Sequence, residues 1–81
     1  MEQFETGMMA RSQSGHDAGK VYVITKVEEA YVYLVDGKVR TLDKPKKKKK
    51  KHVQLIKESF DIQGATDVDI KRWIKIWNKE D

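Results

Sequence analysis

Apolar positions recur along this chain with two periods. Through residue 56 they alternate with polar ones or form short β-branched and aromatic blocks; from residue 66 they return every three or four residues. The first pattern belongs to half-buried strands and the second to an amphipathic helix. In residues 20–28, Val21, Val23, Thr25 and Val27 fall on one face, with Tyr22, Ile24 and Lys26 on the other. Glu28, Glu29 and Ala30 make a polar break, and Tyr31-Val32-Tyr33-Leu34-Val35 is a second strand. Asp36-Gly37 reads as a two-residue type I′ turn that returns the chain as a strand over residues 38–42. Residues 7–12 pull two ways, because Met8, Met9 and Ala10 favour helix in isolation. Their shortness and the glycine loop beyond them argue for a strand. Val53 and Leu55 alternate with polar neighbours over residues 52–56, a last strand placed to close a barrel.

The helical period starts at a capping signal. Thr66 is a good N-cap, Asp69 stands three residues on, and Asp67 and Asp69 suit the positive end of a helix. Ile70, Trp73, Ile74 and Trp77 form one apolar stripe on a helix running to Asn78, with Lys71, Arg72, Lys75 and Lys79 mostly off it. Strands followed by one helix predict an all-β fold: a small antiparallel barrel of about five strands with a C-terminal α-helix laid over it.

A polar loop, Ser12-Gln13-Ser14-Gly15-His16-Asp17-Ala18-Gly19-Lys20, separates the first two strands. Gly15 and Gly19 suit a tight reversal that needs positive φ. Asp17 can bond its own backbone inside that turn.

The chain's 81 residues make one domain with a thin core. Its expected divisions are a flexible lead-in over 1–6, a barrel over 7–57 including a basic loop at 44–51, and a linker with the helix over 58–81. The absence of cysteine excludes disulfides and thiolate metal sites. The first residues carry acids and no apolar run, which argues against a secretory signal. No stretch approaches the ~20 apolar residues of a membrane helix. A cytoplasmic protein, with no membrane partner and monomeric when free, is the expectation.

Charge changes the picture more than composition does. The formal net charge is +4, but residues 38–57 hold ten basic residues and one acid, and the remainder is acidic overall. Such a dipolar chain suits a polyanion approached from one side. Lys46, Lys47, Lys48, Lys49, Lys50 and Lys51 form an unbroken run that self-repulsion should keep extended and mobile. With Lys44 it is a candidate phosphate-binding segment, and Lys38 and Arg40 extend that surface along the expected hairpin.

The glycine loop and its flanks carry a resemblance. Gly15-His16-Asp17-Ala18-Gly19-Lys20, preceded by Gly7-Met8-Met9-Ala10-Arg11-Ser12 and followed by an apolar strand, resembles the KOW motif of large-subunit ribosomal proteins and of transcription elongation factors of the NusG type. The nearest look-alikes are short bacterial KOW-domain RNA-binding proteins related to an archaeal and eukaryotic type of large-subunit ribosomal protein. The resemblance covers residues 6–56 and implies an SH3-like barrel that binds RNA. It further implies ribosomal RNA and the large subunit of the ribosome as partners, with Arg11, His16 and Lys20 adding contacts and Gly15, Asp17 and Gly19 shaping the loop. The unbroken lysine hexamer departs from the ribosomal look-alikes.

Other chemistry is poorly supplied. His16 and His52, the two histidines, lack a cysteine or carboxylate cluster, so no metal site is expected. Asp67 and Asp69 fit helix-start electrostatics better than paired acid–base work. Without a Ser/His/Asp arrangement, a catalytic cysteine or a dinucleotide fingerprint, the expectation is a binding protein with no catalytic residues and no cofactor. Tyr22, Tyr31 and Tyr33 suit either base stacking or core packing. Trp73 and Trp77 suit either the core or a face for a protein of the transcription elongation or translation machinery.

Overall fold

The computed structural model describes residues 3–78. Met1 and Glu2 of the expected lead-in, and residues 79–81 with Lys79, lie outside the described residues. Five strands, β1 (Met8–Ser12), β2 (Val21–Val27), β3 (Tyr31–Val35), β4 (Lys46–Lys49) and β5 (Val53–Ser59), precede one helix, α1 (Asp67–Asn78). They form one antiparallel sheet in the order β4-β3-β2-β1-β5. A single 3-10 turn, Lys50–His52, links its two outermost strands. Among the described residues no helix is long and apolar enough to cross a membrane.

Strand alternation gives the sheet two apolar faces. Ala10, Tyr22, Ile24, Val32, Leu34, Val53 and Leu55 are buried together on the inner one. These residues come from β1, β2, β3 and β5, so the sheet curls around them. Phe4 packs against this cluster and so anchors the start of the described chain. The bulge between Ile24 and Lys26 resets the alternation, which brings Val27 to the inner face with Ile24. On the outer face Met9, Val21, Val23 and Val35 meet Ile70 of α1, all buried. Phe60 and Trp73 stack there with ring centroids 4.7 Å apart.

The helix begins as its sequence predicts. The Asp69 amide donates to the Thr66 hydroxyl at 3.3 Å, and the Thr66 amide donates to the Asp69 carboxylate at 3.0 Å. The bonds that the Asp69 carboxylate accepts from the Thr66 amide and, at 3.2 Å, from the Thr66 hydroxyl hold its carboxyl below the usual carboxylate range. The helix lies close on the 36–40 loop: Gly37 has φ +82°, and a Cβ there would overlap the Asp67 carbonyl and Lys71.

Two expectations about the basic segment are overturned. Residues 38–42 form no strand. The Asp36 carboxylate accepts hydrogen bonds from the Lys38 and Arg40 amides, both at 2.9 Å, and the Arg40 carbonyl accepts from the amides of Asp36 and Gly37. A carboxylate thus takes amide protons that a returning strand would give to β3, as aspartate does in turns. The place beside β3 goes instead to the lysine run, which is neither a loop nor wholly extended and free. Lys46 to Lys49 pair with Leu34, Tyr33, Val32 and Tyr31 in antiparallel register, and Lys50 and Lys51 enter the 3-10 turn.

Candidate nucleic-acid interface

Forcing the lysines into a strand divides them between two faces. Lys46 and Lys48 register opposite Leu34 and Val32, on the inner side; Lys47 and Lys49 register opposite Tyr33 and Tyr31, on the outer side. The inner pair reaches Asp17 at the centre of the glycine loop. Lys46 Nζ lies 2.9 Å from one carboxylate oxygen and Lys48 Nζ 3.2 Å from the other. Lys48 also donates to the Ser14 carbonyl at 2.9 Å, and its side chain is only 10% exposed.

Asp17 collects two further donors, the Ser12 hydroxyl at 3.0 Å and the Tyr22 hydroxyl at 3.2 Å. Burial alone would raise its carboxyl, but the bonds from Lys46, Ser12 and Lys48 outweigh it and hold the group well below the usual carboxylate range. Burial, and next the Asp17 charge, push the Tyr22 phenol up to about 12. The partners of the Asp17 carboxylate are thus side chains of β1, β2 and β4, where the sequence suggested the backbone of its own turn. The loop itself closes on backbone bonds: Gly19 donates to the Ser12 carbonyl at 2.7 Å and Ser12 to that of Lys20 at 2.9 Å. Gly15 and Gly19 take the expected positive φ, +82° and +90°.

A surface groove of about 170 Å³ opens beside this hub, lined by His16, Lys20, Arg40 and Lys46 together with Asp17, Asp36, Tyr22 and Val39. Both carboxylates are already engaged, Asp17 by four side chains and Asp36 by two backbone amides. Lys20 and Arg40 have no ion-pair partner among the described residues. The arrangement can accept an oxyanion from solvent.

The remaining sequence candidates lie elsewhere. Arg11 sits over the Trp77 ring, 5.5 Å from its centroid, and donates to the Gly19 carbonyl at 3.2 Å, at the margin of the glycine loop. Lys38, Lys44 and Lys51 are exposed and do not line the groove, and Lys50 lies over Phe4. Asp36, which the sequence suggests only as half of a type I′ turn, does not take the positive φ such a turn needs; it organises residues 38–40 instead and lines the groove. The signal for Lys46 and Lys48 was present, since lysines are a common guard on exposed sheet edges, and β4 is an edge.

A second, more apolar groove of about 300 Å³ lies between β5 and α1, lined by Glu58, Phe60, Trp73, Ile76 and Trp77. Compared with known proteins, the chain matches no family model and no curated sequence.

Proposed function

We propose that this chain binds RNA, gripping its phosphates at the groove where the glycine loop, the 36–40 loop and β4 meet. The observation that carries this reading is the convergence of His16 and Lys20, Arg40 and Lys46 from three separate segments. Exposed Lys38, Lys44 and Lys51 extend the basic surface available to a polyanion. The KOW-like glycine loop makes ribosomal RNA of the large subunit the polyanion proposed, an SH3-like closure of the curled sheet the proposed architecture, and the cytoplasm the proposed setting. Binding would be electrostatic and shape-directed, because the deep major groove of duplex RNA offers side chains little base-edge information. No catalytic step and no cofactor belong to this reading.

Affinity for ribosomal RNA measured across about 50–200 mM salt tests it. The Lys20→Gln/Arg40→Gln variant is expected to bind more weakly and to lower the slope of log K against log salt by about one per lost phosphate contact. An unchanged affinity and slope would sink the groove as the binding site. Sedimentation of extract at low salt tests the ribosomal part, which requires migration with the large subunit.

A second reading, docking of a protein on α1, is favoured by the apolar groove at Phe60, Trp73 and Trp77. Salt separates the two, since apolar docking survives ionic strength that strips lysine–phosphate contacts.

A further inference from the structure

The outer face of the β3–β4 ladder has a composition unlike the rest of the molecule. Tyr31 and Tyr33 stand two residues apart on one side of β3, half-buried. Opposite them in register are Lys49 and Lys47, and on the other flank Lys26 of β2 pairs with Tyr33. Lys47 Nζ lies 4.4 Å from the Tyr31 ring centroid and 5.9 Å from that of Tyr33, and Lys26 Nζ lies 5.2 Å from that of Tyr33. Among the described residues Glu28 is the acid that pairs with these lysines, 3.6 Å from Lys26 and 3.9 Å from Lys47. Helix α1 packs over Val21, Val23 and Val35; the two tyrosines are not in that cluster.

We propose that this face binds an unpaired stretch of RNA, its bases stacked on Tyr31 and Tyr33 and its phosphates paired with Lys26, Lys47 and Lys49. The inference rests on the RNA-binding reading and names the form of RNA that one surface takes. Three lysines against one carboxylate complement a phosphate backbone. Rings two residues apart on a strand stand about 7 Å from each other, roughly twice the 3.4 Å rise of stacked bases. Two bases that meet both rings must be unstacked from one another, which a single strand allows and a duplex does not. The lysines now over the rings are no obstacle. A cation–π contact at an exposed site is weaker than base–aromatic stacking, and Lys47, whose side chain is 50% exposed, can swing to a phosphate.

The test uses the full chain with a labelled eight-nucleotide oligouridylate and an RNA hairpin stem as probes. The Tyr31→Leu/Tyr33→Leu variant keeps apolar bulk and removes the rings. It is expected to bind oligouridylate about tenfold more weakly or worse, and the stem within twofold of the parent. In the unaltered chain, the ring-proton resonances of Tyr31 and Tyr33 should move upfield on adding oligouridylate, a measurement that needs no variant. Unchanged oligouridylate affinity in the variant, ring resonances unmoved at saturation, or equal losses on both probes would each overturn the stacking site while leaving RNA binding intact. Failure of the unaltered chain to bind either probe at low salt would instead overturn RNA binding itself, and the stacking site with it.

Discussion

Among the described residues, Asp17 collects bonds from more side chains than any other. It is 7% exposed and bonded by Ser12, Tyr22, Lys46 and Lys48, so it ties the glycine loop to β2 and to the sheet edge at once. Removing one member of a buried ion pair strands its partners, at a cost of 3–5 kcal/mol when burial is complete. Lys46 keeps some access to water, with its side chain 26% exposed. Asp17→Asn is therefore expected to destabilise the fold by about 2–3 kcal/mol, read as a lower denaturant midpoint. The pH dependence has a definite sign. A carboxyl held below its ordinary 3.8 binds fewer protons folded than unfolded, so its contribution is present above about pH 4 and fades as pH falls below that. Stability of the parent should drop steeply on acidification through this range. In Asp17→Asn that part of the drop should vanish, and an equally steep drop would show that other carboxylates cause it.

At the scale of the element, β4 illustrates how one strand gives identical residues different work. The period of two sends Lys46 and Lys48 to the carboxylate and Lys47 and Lys49 to the tyrosines. Two double substitutions should then behave oppositely. Lys46→Gln/Lys48→Gln leaves Asp17 without its cations and is expected to lower the melting temperature by about 10 °C or more. Lys47→Gln/Lys49→Gln touches outward side chains, should shift melting by less than about 3 °C, and should weaken binding of oligouridylate. Thermal denaturation and RNA titration of both variants check this. Equal melting losses would mean that the hexamer acts as an undivided patch. The edge position also explains why lysine is tolerated in a strand, since charge discourages a second chain from pairing there.

Over the whole molecule, a sheet this small gains stability by burying its inner face through curling and the part of its outer face around Met9, Val21, Val23 and Val35 beneath α1. Ile70 is the residue of α1 that is fully buried, against Met9, Val21, Val23 and Val35. Ile70→Ala is expected to cost about 2–4 kcal/mol. Tryptophan fluorescence and far-ultraviolet dichroism should then report one coincident transition, whereas separate transitions would mean that the helix is dispensable to the sheet. The capping residues, the stripe from Ile70 to Trp77, the strands over 20–28 and 31–35 and the glycine loop were all readable in order along the chain. Each is specified by residues a few positions apart: a side-chain period, a cap, or a glycine with positive φ. The sequence by itself also determined the pile of positive charge in residues 38–57. Tertiary structure alone decided where that charge goes. Asp36 turns residues 38–42 away from β3, and Asp17, some thirty positions before the lysines, draws two of them into a strand that their mutual repulsion opposes. No local pattern encodes an attraction between residues so far apart, because it exists only once the sheet has brought the glycine loop beside its edge.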